Sequence, residues 1–142
     1  MKIIEQSQFI RKAKDKVFEE ILNKYNLTNN ELSILIFLYE NEPENNTASN
    51  IVRELLFTKS HVSLSVESLI KKEYIIKNID KDDKKRYYLN LTKKANNIKD
   101  DYIKKKKEFL DLLFFDVEEK DKETMKRVFY QVQKNIDNIL SK

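Results

Sequence analysis

Residues 47–95, TASNIVRELLFTKSHVSLSVESLIKKEYIIKNIDKDDKKRYYLNLTKKA, decide how this chain folds. Thr47 stands directly before a short periodic run, which predicts an N-cap and a helix to Leu56 with Ile51, Leu55 and Leu56 facing inward. After a short turn, Thr58 or Ser60 opens a second helix to about Lys72, with Val62, Val66, Leu69 and Ile70 on one side. From Tyr74 the apolar period changes from about 3.6 to about 2, so 75–79 and 86–92 read as strands. The charged turn between them, Asp80 to Lys85, is too long for a tight two-residue hairpin and suits a protruding loop. Two short helices and a tight turn followed by a charged hairpin make a winged helix-turn-helix.

Working outward, residues 5–25 carry Ile10, Ala13, Val17, Ile21 and Tyr25 at helical spacing, widened by Phe18 and Leu22. Thr28-Asn-Asn-Glu31 is a capping box, in which hydroxyl and carboxylate satisfy opposite backbone N–H groups. The helix it opens, to Glu40, is apolar nearly all round and belongs in the middle of a core. Asn41 to Asn46, with the only proline at Pro43, form a loop. Beyond the hairpin, helices are predicted over roughly 93–115 and 119–141, the last striped by Met125, Val128, Phe129, Val132, Ile136, Ile139 and Leu140. A small central domain covers only part of such long helices, so their remaining apolar surface is expected to pack against a second copy. The expected organisation is an N-terminal dimerisation helix at 1–27, a winged helix-turn-helix DNA-binding domain at 28–95, and C-terminal dimerisation helices at 96–142. The fold class is mainly α with a small β-hairpin wing.

Composition removes most other functions. With 142 residues there is room for one domain, or one domain with an oligomerising extension. No cysteine means no disulfide, thiolate metal site or thiol redox switch. No glycine excludes the phosphate-cradling loops of nucleotide-binding enzymes, although abundant Lys, Ile and Asn point to an A·T-rich genome as part of the cause. One histidine, His61, leaves no His pair for zinc and no Ser-His-Asp set, so no catalytic residue, metal or cofactor is expected. No apolar run is long enough to span a bilayer and no signal peptide is read, so the chain is expected in the cytoplasm without a membrane partner. The Asn-x-Thr triplets at Asn26, Asn45 and Asn90 are then chance matches.

The net charge of +4 is unevenly placed: 57–95 carry 10 basic and 5 acidic residues, whereas 1–46 carry 6 and 8. A positive excess confined to the central segment is what a phosphate-binding surface needs, although charge runs are also common on solvated faces.

The stretch 47–75, TASNIVRELLFTKSHVSLSVESLIKKEYI, with IKNIDKDDKKRYYLNLTKKA after it, resembles the MarR family of bacterial transcriptional regulators. Ile51 to Leu55 is similar to the family's first motif helix and Ser60 through Leu69 to its recognition helix; Asp83-Lys-Lys85, before Leu91-Thr92, is similar to the wing's Asp-x-Arg and closing Leu-Thr. Departures are Glu73 and Ala95 where the family usually has Gly, Lys85 for the wing arginine with Arg86 next to it, and Leu64 where Arg is frequent. The resemblance implies a homodimeric regulator, most simply a repressor, that binds double-stranded DNA and in many members a small aromatic or anionic effector.

Docked as such motifs dock, the N-terminal end of 58–72 enters the major groove. Thr58, Lys59, Ser60, His61, Ser63, Leu64 and Glu67 are then candidates for its outward face. Lys59 can bond guanine edges or a phosphate, Ser60, His61 and Ser63 bases or phosphates, and Leu64 thymine methyls in an A·T-rich site. Thr58 reads equally as a helix cap. In the wing, Lys81, Lys84, Lys85 and Arg86 suit an adjacent minor groove, and the resemblance implies that Asp83 braces the neighbouring basic side chain. Asp80, Asp82 and Asp83 do not make a calcium loop, because Lys85 and Leu91 stand where Gly and Glu are needed. Lys104 to Lys107 read as a solvated face. Tyr25, Tyr39, Tyr102, Phe109, Phe114 and Phe115 read as core or as the lining of an effector pocket of unknown residues. The competing reading is a winged-helix protein-interaction module, or a non-specific DNA binder without effector control.

Overall fold

The computed structural model describes residues 3–142; residues 1–2 of the expected N-terminal segment lie outside it. The element order is α1 (Ile3–Tyr25), α2 (Asn29–Asn41), α3 (Ala48–Leu55), α4 (Lys59–Lys71), β1 (Ile75–Ile79), β2 (Tyr87–Leu91), a 3-10 turn (Lys93–Ala95), α5 (Asn96–Leu113) and α6 (Glu119–Leu140). The chain divides into two compact units, Met1–Lys106 and Lys107–Lys142.

Threonine starts three of the helices. Thr28 and Glu31 form the expected capping box, each bonding the other's backbone N–H at 3.1 Å. Thr47 forms a second box with Asn50, and Thr58 caps α4 by accepting from the His61 N–H at 3.2 Å. Each cap satisfies a donor that a helix start leaves open, worth about 1 kcal/mol.

The core of the first unit is built around α2. Leu32, Ile34, Leu35, Phe37 and Leu38 are buried there, joined by Phe18 and Ile21 of α1, Ile51 of α3, and Val62, Val66 and Leu69 of α4. Ile75, Leu89, Ala95 and Ile98 close it from the hairpin and the start of α5. Full burial of each Leu or Ile contributes about 2–3 kcal/mol. Within this unit α1 and the start of α5 are laced together: Lys24 and Tyr25 both donate to Asp101, at 2.8 and 2.7 Å, Lys105 pairs with Glu20 at 2.6 Å, and Phe18 lies against Tyr102.

β1 and β2 pair antiparallel, with Ile75 opposite Leu91 and Ile79 opposite Tyr87. The loop before α3 docks on the other edge of β2. The Leu89 N–H donates to the Asn46 carbonyl at 2.8 Å, and the Asn46 side-chain amide donates to the Leu89 carbonyl at 2.9 Å. Glu42 accepts from the Asn90 side chain at 2.7 Å, and Asn90 in turn accepts from Asn78 at 2.6 Å. The root of the hairpin is thereby tied to the end of α2.

Four local expectations change. Leu56 is 86% exposed, because it ends α3 in the left-handed region (φ 55°) and its side chain swings out of the helical stripe, while Leu55 is half-buried. β2 is one residue shorter at each end than the predicted strand, and α5 begins only after the 3-10 turn. On α1, Ile10 and Ala13 of the predicted stripe are exposed. In the second unit, Val128, Phe129, Val132, Ile136, Ile139 and Leu140 of α6 are all at least 40% exposed.

Candidate nucleic-acid interface

α4 separates its two faces cleanly. Val62, Val66 and Leu69, at i, i+4 and i+7, are buried, which holds the helix in one rotational setting. Helical spacing then places Ser60, Leu64 and Glu67 on the opposite side, with His61 and Ser63 flanking them. All five are exposed, as are Thr58 and Lys59. Leu64 is 66% exposed, an apolar side chain left facing water amid hydroxyls. The cap places Thr58 at the mouth of the helix, with its oxygen bound to the His61 N–H and its own hydroxyl proton free to donate elsewhere.

The far end of α4 is anchored by charge. Glu31 is 2% exposed, yet both its carboxylate oxygens are filled: Oε1 accepts from the Thr28 N–H and Lys72 Nζ at 3.1 and 3.2 Å, Oε2 from Ser68 Oγ and Lys72 Nζ, both at 3.0 Å. Lys72 also donates to the Asn26 carbonyl at 2.6 Å. Burial works to raise the Glu31 pKa, but the bonds from Lys72, Thr28 and Ser68 together hold it below the usual glutamate value.

The wing tip is ordered by two aspartates. Asp80 Oδ1 accepts from the Asp82 N–H at 2.9 Å and its Oδ2 from the Tyr88 hydroxyl at 3.1 Å; chiefly the first of these bonds lowers its pKa. Asp83 Oδ1 accepts from the Lys85 N–H at 3.0 Å, and the Arg86 N–H closes on the Asp83 carbonyl. Asp83 therefore holds the backbone of the turn, because so short a carboxylate reaches the N–H two residues on more readily than a long basic side chain. Lys81, Asp83, Lys84, Lys85 and Arg86 are all exposed. Arg86 lies over the Tyr88 ring at 5.5 Å and Lys77 over Tyr87 at 4.0 Å. Among the described residues, Lys59, Lys81, Lys84 and Lys85 form no ion pair, which leaves their charge available to an outside anion.

The sequence expectations placed Asp80 in the wing turn without giving it a site role, and did not include Tyr88, Asn46 or the Glu31–Lys72 pair as parts of this surface. Only Asp80 carried a local signal, as a turn-forming residue at the end of a strand. The aromatic candidates in the first unit are engaged with protein: Tyr25 with Asp101, Tyr39 with the Ala95 carbonyl at 2.5 Å, and Tyr102 with Phe18. Burial pushes the Tyr39 hydroxyl well above its usual pKa. Lys105 and Lys107 of the basic run are paired, with Glu20 and Asp111.

A buried-and-anchored helix presenting hydroxyls, a lysine and a histidine, beside a hairpin with unpaired basic side chains, defines a winged helix-turn-helix protein. Solved structures share this fold over nearly the full chain. The crystal structure of MarR matches with TM-score 0.80 at 16% identity, covering 97% of this chain and 99% of that one. A MarR transcriptional regulator from Methanosarcina mazei Go1 matches with TM-score 0.85 at 16% identity, covering 98% and 99%. The S. aureus MepR–DNA complex matches with TM-score 0.79 at 20% identity, covering 95% and 98%. No curated protein matches the chain in sequence. The family described as transcriptional regulator SarA/Rot matches residues 16–102. The chain belongs to the SarA/Rot family of transcriptional regulators and is a winged-helix regulator with the MarR fold. No helix among the described residues is long and apolar enough to cross a membrane.

Proposed function

We propose that this regulator is a homodimer that represses transcription by occupying an A·T-rich inverted repeat. The observation that carries the reading is the outward face of α4 together with the unpaired cations of the wing. Thr58, Lys59, Ser60, His61, Ser63 and Leu64 read base edges in the major groove, with Leu64 against thymine methyls. Lys81, Lys84, Lys85 and Arg86 enter the neighbouring minor groove, and Asp83 shapes the turn that presents them. Residues 28–95 form the DNA-binding domain, and 1–27 with 96–142 supply dimerisation. The exposed apolar stripe of α6 supports the last assignment, since a contiguous apolar strip of this length on a soluble helix marks an interaction face. Release by a small aromatic or anionic effector is the form of control the MarR resemblance implies.

The test is selection of bound duplexes from a random-sequence pool by the purified protein at moderate salt. Enrichment of an inverted repeat is the expected result. Duplex binding without enrichment would make this a non-specific binder. Two leucines exposed on the helix pair, Leu56 and Leu64, favour one second reading, a protein-docking winged helix. Absence of any duplex binding would select it.

A further inference from the structure

The Glu31–Lys72 pair joins the first turn of α2 to the end of α4, 41 residues apart in the chain. Glu31 lies in the first turn of α2, and Lys72 caps the C-terminal end of α4, the end away from the candidate base-reading residues. The Glu31 side chain is 3% exposed and that of Lys72 28%. An ion pair this buried is close to neutral for stability, since the cost of removing two charges from water offsets their attraction, and apolar side chains of similar size do as well or better. What an apolar pair does not supply is direction. Here the Lys72 ammonium is fixed by three oxygens, both of the Glu31 carboxylate and the carbonyl of Asn26, while Ser68 one turn earlier on α4 is fixed by the same carboxylate. Two points on α4, a turn apart, are thus bonded to a single side chain of α2.

We infer that Glu31, Ser68 and Lys72 are positioning residues for DNA reading: they set the angle at which α4 presents its N-terminal end. The inference rests on the reading of α4 as the recognition helix. At a rise of 1.5 Å per residue, Ser60 stands about 18 Å along the helix from Lys72, so a tilt of about 3° about the anchored end moves Ser60 by roughly 1 Å. The buried stripe of Val62, Val66 and Leu69 keeps α4 docked through such a tilt, because dispersion and apolar burial are not directional. Hydrogen bonds to base edges are directional, and lose their energy within that distance. Phosphate contacts by flexible lysines do not. The pair therefore acts on the ratio of specific to non-specific affinity.

The test is the double variant Glu31→Gln/Lys72→Met. Gln keeps the capping-box acceptor for the Thr28 N–H, and Met keeps the apolar stem of Lys72, so the charges go and the volume stays. Affinities for a duplex selected by the wild type and for a scrambled duplex are read by fluorescence anisotropy, at a temperature where circular dichroism shows both proteins folded. The expected result is a loss of about tenfold on the selected duplex, the size of one base-edge contact, with the scrambled duplex unchanged. Equal discrimination by the folded double variant would overturn the inference. Should that variant not fold, Ser68→Ala removes one of the two tethers on α4, and a selected-duplex affinity equal to wild type would overturn the inference in its place. A wild type that prefers no duplex at all would instead bring down the proposed function, and this inference with it.

Discussion

A chain without glycine must place other residues wherever the backbone turns left-handed, and two of those positions are open to a direct test. Leu56 ends α3 at φ 55°, and Glu73 follows α4 at φ 65°. The left-handed conformation costs an ordinary residue about 1–2 kcal/mol through the clash of its Cβ with the backbone, and glycine escapes that cost. Against the gain stands the extra freedom of glycine in the unfolded chain, about 0.7 kcal/mol. Leu56 is 86% exposed, so replacing it removes almost no buried surface. Leu56→Gly is therefore expected to stabilise by about 0.8 kcal/mol, which for a chain of this size raises the thermal midpoint by roughly 2–3 °C. Glu73→Gly also gives up a long, exposed ion pair with Lys94 (3.9 Å), and its gain is expected to be smaller, about 0.5 kcal/mol. Leu56→Ala is the control: it trims the same exposed side chain but keeps a Cβ, so its midpoint is expected to stay near wild type. Thermal unfolding followed by circular dichroism at one fixed protein concentration reads all three, because association would otherwise shift the midpoint. A midpoint for Leu56→Gly no higher than that of Leu56→Ala would refute the backbone argument.

Acid should weaken the fold through Glu31. Its folded pKa lies below the unfolded value, so the stability it contributes is complete above the ordinary glutamate pKa and is lost as pH falls from there through the folded pKa. Denaturant titrations are expected to show a gap between wild type and Glu31→Gln that is flat above about pH 5.5 and closes below it; a gap independent of pH would contradict the assignment. Lys85→Ala should lower affinity on any duplex and reduce the slope of log K against log salt by about 0.9, the signature of one lost phosphate contact. An unchanged slope would remove Lys85 from the interface. Ile136→Glu places a charge in the apolar stripe of α6, where the side chain is already 41% exposed. Sedimentation is expected to show a folded protein of half the wild-type mass, and a persisting dimer would move the subunit contact elsewhere.

The order of elements was legible because its signals are local. Three threonines mark helix starts through bonds to N–H groups three residues on, and the change of period at Tyr74 separates helix from hairpin within one turn of chain. The outward face of α4 followed from the same arithmetic, since burying Val62, Val66 and Leu69 leaves Ser60 and Leu64 no other side. The resemblance flagged Glu73 as a place where relatives carry glycine, and the positive φ there supplies the physical reason.

What periodicity could not reach was any role that depends on a distant partner. In sequence Glu31 is one more acid in a first turn; only packing brings it to Lys72, 41 residues away, and turns a capping residue into the buried anchor of α4. Asn46 reads as part of a loop until Leu89, 43 residues on, pairs with it and makes that loop the outer edge of the wing. Asp83 and Leu56 changed role for a different reason, because backbone torsion at a turn redirects a side chain in ways that a count of residues does not see. The sequence by itself determined the helices, the hairpin and the faces they must bury, since these follow from spacing along one chain. The tertiary structure decided which buried charge meets which, and so where the C-terminal end of α4 is tied to α2, because that depends on residues brought together from 41 positions apart.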